Sequence, residues 1–129
     1  MNWQNCPDNI EPYVGFIYLI TNQQTGRKYI GKKLFHSVQK RKPLKGKVNK
    51  RKRVVETDWQ DYWSSCNELL EDIEKYGKEI FRREMLSFHK TRWEWSYAEL
   101  KEQVNKDVLR DKAYYNKYIR IRLPSYKFK

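Results

Sequence analysis

The sequence predicts one α+β domain, a small, largely antiparallel three-stranded sheet flanked by helices. Three observations carry that expectation. Two strand-like runs, 15–21 (GFIYLIT) and 27–35 (RKYIGKKLF), flank a short polar turn. Two helix-like runs follow, each opening on a Ser-x-x-Glu pattern whose hydroxyl suits a helix start. Aromatic residues make up 16% of the 129 residues, enough bulk for a core and too much for a disordered chain.

The elements follow in order. Residues 1–12 are polar, carry Pro7 and Pro12, and read as an N-terminal arm. The domain proper is expected over 13–123, with a tail at 124–129. The runs 15–21 and 27–35 are rich in β-branched and aromatic residues, which suit a pleated surface. Between them, Asn22-Gln23-Gln24-Thr25-Gly26 reads as a turn, with Gly26 free to take a positive φ. So short a connection makes the pair antiparallel. Residues 40–53 read as a basic loop, because Pro43 and Gly46 break any helix there. Ser65-Cys66-Asn67-Glu68 fits a capping box, Leu69, Leu70 and Ile73 follow at helical spacing, and Gly77 is the stop. Residues 80–88 are a third strand candidate. Ser96-Tyr97-Ala98-Glu99 fits a second capping box, with a helix to about Leu109 and Leu100, Val104 and Val108 along one side. Alternation from Tyr118 suggests a short last strand.

Charge narrows the partner. Lys and Arg number 28 against 16 Asp and Glu, a net charge of +12. Such an excess suits a polyanion, DNA in the first place. Nine of the 28 cations fall in the basic loop: Lys40, Arg41, Lys42, Lys45, Lys47, Lys50, Arg51, Lys52 and Arg53. They read as an electrostatic track for phosphates, against the plainer reading of a solvated loop. No apolar run reaches transmembrane length and the start, MNWQNCPDN, has no secretory pattern, so no membrane partner is expected. Cys6 and Cys66 stand alone, without the spacing of a zinc site or a disulfide framework, which fits a cytoplasmic setting.

Side-chain alternation then gathers chemistry on the hairpin. Tyr18 shares a strand face with Phe16 and Ile20, and Tyr29 shares one with Gly31 and Lys33. A short turn brings the two phenols close. Gly31 leaves a spot beside them unfilled, and Lys33 sets a positive charge on its edge. Two phenols, a gap and an ammonium suit a phosphate; cross-strand packing is the competing reading. Trp59, Trp63, Trp93 and Trp95 are candidates for stacking on bases or for the core.

Phe16-Ile17-Tyr18 and Tyr29-Ile30-Gly31 resemble the two halves of the hairpin motif of the GIY-YIG nuclease family, with Gly15 one place ahead of the first triplet. The stretch DYWSSCNELLEDIEKYGKEIFRREML is similar to phage-type members, SYAELKEQ to the helix that carries the family's glutamate, and YYN at 114–116 to its late asparagine. The resemblance covers 13–123. It implies hydrolysis of DNA phosphodiester bonds with one divalent cation, magnesium or manganese. By it, Glu99 is the cation's carboxylate, with Glu102 competing and with a role in the Ser96 capping box as the plainer alternative. Tyr18 is the general base. A phenol with an ordinary pKa of about 10 needs a nearby cation for that work, and Lys33 is a candidate. Tyr29 positions water or phosphate, and Asn116 orients a phosphate or caps a turn. The family's arginine falls where this chain reads Gln39-Lys40-Arg41, so Arg41, Arg51, Arg53 and Lys33 compete for its role. Lys33 also stands where the family often has a histidine, and His36 reads as an exposed loop residue. A phage-encoded member would act in the host cytoplasm, and specificity would fall to the basic loop, the tails or a homo-oligomer. Two rival readings are a non-catalytic nucleic-acid-binding module and a protein inhibitor of a nucleic-acid enzyme.

Overall fold

The computed structural model describes residues 2–41, Gly46 and 51–128, leaving aside the side chains of residues 40, 41, 51 and 52. Strands β1 (Gly15–Asn22), β2 (Lys28–Leu34) and β5 (Phe81–His89) form one antiparallel sheet in the order β2-β1-β5. Strands β3 (His36–Arg41) and β4 (Arg51–Glu56) form a separate antiparallel ribbon. Helix α1 (Asn67–Tyr76) lies between the ribbon and β5, and helix α2 (Arg92–Asn105) follows β5. The α+β class and the three-stranded antiparallel sheet are those expected.

Strand β1 is central, so both of its faces must be apolar. Phe16, Tyr18 and Ile20 join a core with Trp3, Trp59 and Leu69 and Ile73 of α1. Ile17 points the other way and packs with Ile30, with Trp95 of α2 and with Val108. The face of β1 that carries Tyr18 is therefore closed to solvent. What closes it is chain outside the sheet. Trp3 lays its ring against Phe16 at 5.0 Å and Tyr18 at 5.6 Å, and its indole N–H donates to the Trp59 carbonyl at 2.9 Å. Gln4 bridges to β5, donating to Arg83 O at 2.8 Å and accepting from Met85 N at 2.9 Å. The polar N-terminal segment is thus pinned onto the sheet by one tryptophan.

The β1–β2 turn follows its residues. Asn22 Oδ1 accepts the backbone N–H groups of Gln24 and Thr25 at 3.0 and 3.2 Å, and Gly26 takes a φ of 81°. Helix α1 stops at Gly77, whose φ of 94° disfavours any other residue. Its start differs from the expected capping box. Cys66 is the N-cap and offers no side-chain cap, while Ser64 Oγ accepts the Cys66 N–H at 3.0 Å.

Helix α2 begins one turn earlier than its sequence suggests. Thr91 is the N-cap and its hydroxyl accepts the Glu94 N–H at 3.2 Å, so Thr91-x-x-Glu94 is the true helix start. Ser96 and Glu99 lie inside the helix, which removes the capping role for Glu99. The helix also ends at Asn105, short of Leu109, where Asp107 turns to a φ of 53°. No strand forms at or after Tyr118 among the described residues. The expected basic loop is in part a ribbon: β3 and β4 pair from His36↔Glu56 to Arg41↔Arg51. The valines Val38, Val54 and Val55, with Val38 paired to Val54 across the ribbon, suit strands that hydropathy hides behind their cations. Lys42, Lys45, Lys47 and Lys50 lie outside the described residues. No described helix is long and apolar enough to cross a membrane.

Gly15 admits α2 to the sheet. A Cβ there would lie 2.6 Å from both Lys33 O and Trp95 Nε1, and Trp95 donates to Phe16 O at 3.2 Å. Gly15→Ala should therefore lose about 1–3 kcal/mol of stability through overpacking, read as a lower urea midpoint. An unchanged midpoint would mean that Trp95 does not seat against β1.

Candidate active site

The strand register decides what the hairpin offers. Tyr18 stands opposite Gly31, and Ile20 opposite Tyr29, so the two tyrosines are diagonal neighbours with ring centroids 6.1 Å apart. The space over Gly31 is not an empty pocket. Tyr18 fills it: a Cβ at residue 31 would lie 2.5 Å from the Tyr18 hydroxyl and 2.9 Å from Tyr29 Cε2. Glycine is needed there for a phenol of the same protein, which corrects the expected phosphate gap.

Segment 59–66 forms the wall over these rings. Arg83 on β5 holds it, donating through Nη1 to Gln60 O at 3.1 Å and to Tyr62 O at 2.7 Å. The Tyr62 ring meets Tyr18 edge-on at 6.0 Å. Ser64 has a φ of 98°, a strained conformation for a residue with a side chain, and its buried hydroxyl reaches hydrogen-bonding range of both Tyr18 and Tyr29. Tyr62, Ser64 and Cys66 were not among the site candidates read from the sequence, and no local pattern marks them for that role. Only the DYWSSC stretch of the family resemblance pointed at the segment.

The two phenols differ in access. Tyr18 is 2% exposed. Burial, then its neighbours Tyr62 and Tyr29, drive its phenol well above the usual value. Tyr29 is half-buried and lines a cleft of about 290 Å³ together with Cys66, Glu68, Asn116 and Lys117. Burial first, then Cys66 and Glu99, push its phenol up to about 12.

Glu99 lies on the α2 side of the sheet, and its charge is among those acting on Tyr29. Strand β2 is an edge strand, and α2 packs behind it. Burial raises the Glu99 carboxyl, and Lys32 opposes that rise from 3.8 Å. Lys32 is itself held by Ser96 Oγ at 3.0 Å and lies 4.4 Å over the Trp95 ring. Glu102, on the same helix, is among the charges that raise the Tyr114 phenol, after burial and Asp111. Among the described residues no three of His, Cys, Asp and Glu cluster as a metal cage.

The other candidates are placed as follows. Lys33 pairs with Asp58 at 2.8 Å and sits 4.3 Å over the Tyr62 ring, so it is committed away from Tyr18. His36 opens β3, half-buried, with Nδ1 3.0 Å from Tyr13 O, and is no exposed loop residue. Trp59 and Trp95 are core residues, and Trp63 stacks on the Arg83 guanidinium at 4.1 Å. Arg53 is exposed on β4; Arg41 and Arg51 close the ribbon, and their side chains lie outside the described residues. Asn116 commits its amide to β2, accepting from Ile30 N at 3.1 Å and donating to Ile30 O at 2.9 Å.

Two tyrosines on a hairpin, a wall from the following segment and one half-buried carboxylate on a later helix make up the candidate site on this α+β fold. Residues 2–119 match the family profile described as "Putative endonuclease segE, GIY-YIG domain". The chain belongs to the GIY-YIG endonuclease family. No curated protein and no solved structure gives a significant match.

Asn116 tests the geometry directly. Asn116→Ala strips partners from the buried Ile30 backbone, and Gln103 still donates to Ile30 O at 3.0 Å. Chemical denaturation should show a loss of about 2–3 kcal/mol. Full stability with lost cleavage would instead put the amide on the substrate.

Proposed function

We propose that this chain is a divalent-metal-dependent DNA endonuclease whose reaction centres on Tyr29 and Glu99 at the edge of β2. One observation carries the reading: the cleft-lining Tyr29 phenol and the half-buried Glu99 carboxylate, which pairs with Lys32, both stand at strand β2, each raised by burial, and the Glu99 charge acts on Tyr29. Perturbed titrating groups beside a cleft are a signature of a reactive site. The net charge of +12 favours a polyanionic substrate. The sequence of the β3–β4 ribbon carries Lys40, Arg41, Arg51, Lys52 and Arg53, a density of cations suited to a phosphate backbone.

The donor set fits a hard cation. Glu99 offers one oxygen-donor carboxylate whose burial is only partly offset by Lys32, and water and substrate oxygens would complete the shell. Magnesium or manganese bound there would neutralise charge on the phosphoryl oxygens. Tyr29 takes the proton of the attacking water, because its phenol lines the cleft. Tyr18, expected as the base, has almost no access to solvent, so in this reading it fixes the Tyr29 ring together with Ser64. Lys32 holds the Glu99 carboxylate in place. The first turn of α1, at the cleft wall, presents backbone N–H groups and partial positive charge suited to a phosphate.

The pH dependence has a definite sign. A phenol held up to about 12 is neutral at pH 7, with about one part in 10⁵ ionised. Below that value, each unit by which the pH rises multiplies the phenolate by ten. Single-turnover cleavage of supercoiled plasmid with magnesium should therefore rise between pH 6 and 9. Tyr29→Phe should lose about 10²–10⁴ in rate and flatten the rise, with Tyr18→Phe losing less. Glu99→Gln should abolish cleavage and leave DNA binding intact. Wild-type rates in a folded Tyr29→Phe or Glu99→Gln protein would remove the site from the chemistry.

A further inference from the structure

We infer that the segment following Asn116 is a second nucleic-acid contact, a cationic track ending on an aromatic shelf that stacks the bases of a single DNA strand. The inference rests on the reading of DNA as substrate and adds a surface outside the cleft.

The sequence of this segment is one-sided. From Lys117 to Lys129 there are five Lys or Arg (Lys117, Arg120, Arg122, Lys127 and Lys129) and no Asp or Glu. The chain leaves the core at the buried Tyr115 and Asn116, and Lys117 lines the cleft beside Tyr29. Ile119 then packs against the α2-side core. Further along, the Trp93 indole N–H donates to Pro124 O at 2.8 Å, which ties the segment to the first turn of α2. The segment thus runs from the cleft to the helix start, with Lys117, Arg120 and Arg122 exposed along it.

At that end four rings adjoin. Trp93 and Tyr97 stack at 4.9 Å and 20°, Tyr126 meets Trp93 at 5.0 Å, and Phe128 meets Tyr126 at 5.0 Å. They remain in water: Phe128 is 88% exposed, Tyr126 46% and Tyr97 44%. Single exposed aromatics are ordinary, but a contiguous set of four is an interaction surface. Its chemistry selects the partner. Lys117 pairs with Glu68 at 3.5 Å, and the further cations, on a stretch without acids, match phosphates, while exposed ring faces match bases that are free to stack. In a duplex those base faces are already stacked on their neighbours, so a single strand is the better occupant.

The test is anisotropy of a fluorescein-labelled 12-mer of thymidine, with the full chain and without divalent metal, so that cleavage plays no part. The Tyr126→Ala/Phe128→Ala double variant should bind the oligonucleotide at least about 10-fold more weakly, with duplex affinity changed less than about 3-fold. Its melting temperature should match the wild type, since neither ring belongs to the core. Wild-type oligonucleotide affinity in the folded double variant would overturn the inference. So would a wild-type dimer in sedimentation that dissolves in the variant, which assigns the shelf to a second copy of the chain. The outcome is separable from the nuclease reading. A wild type that fails to cleave plasmid yet shows the predicted loss of oligonucleotide binding refutes the nuclease and keeps the shelf.

Discussion

The Tyr18 ring lying across Gly31 is the contact on which the site depends. It joins the two halves of the hairpin motif at one point, because the register sets those residues opposite each other. With the phenol in that space, Tyr29 on the same face is displaced to the diagonal and its ring turns to the cleft. The other contacts converge on the same ring. Trp3 arrives from the N-terminal segment, Tyr62 from the wall, and Arg83 holds that wall by its carbonyls. Ser64 accepts a strained φ of 98° while its hydroxyl serves both phenols. Such strain persists where the surroundings over-determine it, and here they do.

Packing and electrostatics have the same source. The burial that fixes these rings also disfavours their charged forms, raising Tyr18, Tyr29 and Glu99 together. For Glu99 the sign is plain. Its folded-state pKa lies above the unfolded one, so stability is lost as pH rises through it and an ionised Glu99 is held at a cost to the fold. Lys32 offsets part of that cost from 3.8 Å. A carboxylate so held has a standing affinity for a further positive charge, which is the property the proposed cation site uses.

Much of the fold was legible in the sequence, for physical reasons. Strands β1, β2 and β5 and helix α1 follow from apolar pattern and glycine stops, and their bounds fall within a residue or two of expectation. Helix α2 was read one turn late because Ser96-x-x-Glu99 imitates the real start at Thr91-x-x-Glu94. The β3–β4 ribbon was hidden because its strands are built largely of Lys and Arg, which no apolar alternation reveals. The closure of the tyrosine face was hidden because Trp3 sits in a segment that is otherwise polar. At the site, Tyr18, Tyr29 and Glu99 were candidates from the sequence; the fold sets Tyr18 on the central strand beside Tyr29 of the edge strand, and Glu99 on the α2 side, paired with Lys32. The empty space at Gly31 was misread because its occupant is set by register, one pair away from the expected Tyr18–Tyr29 opposition. Lys33 was misread because Asp58, distant in sequence, takes its charge.

The central claim is that a phenol of the chain itself, and no ligand, fills the space over Gly31 and so aims Tyr29. The most direct measurement is single-turnover plasmid cleavage by Gly31→Ala, taken with its urea midpoint. The added methyl must push Tyr18 and Tyr29 off their positions. The account predicts a folded protein destabilised by about 1–3 kcal/mol, with cleavage reduced at least about 100-fold. Wild-type cleavage at wild-type stability would contradict it.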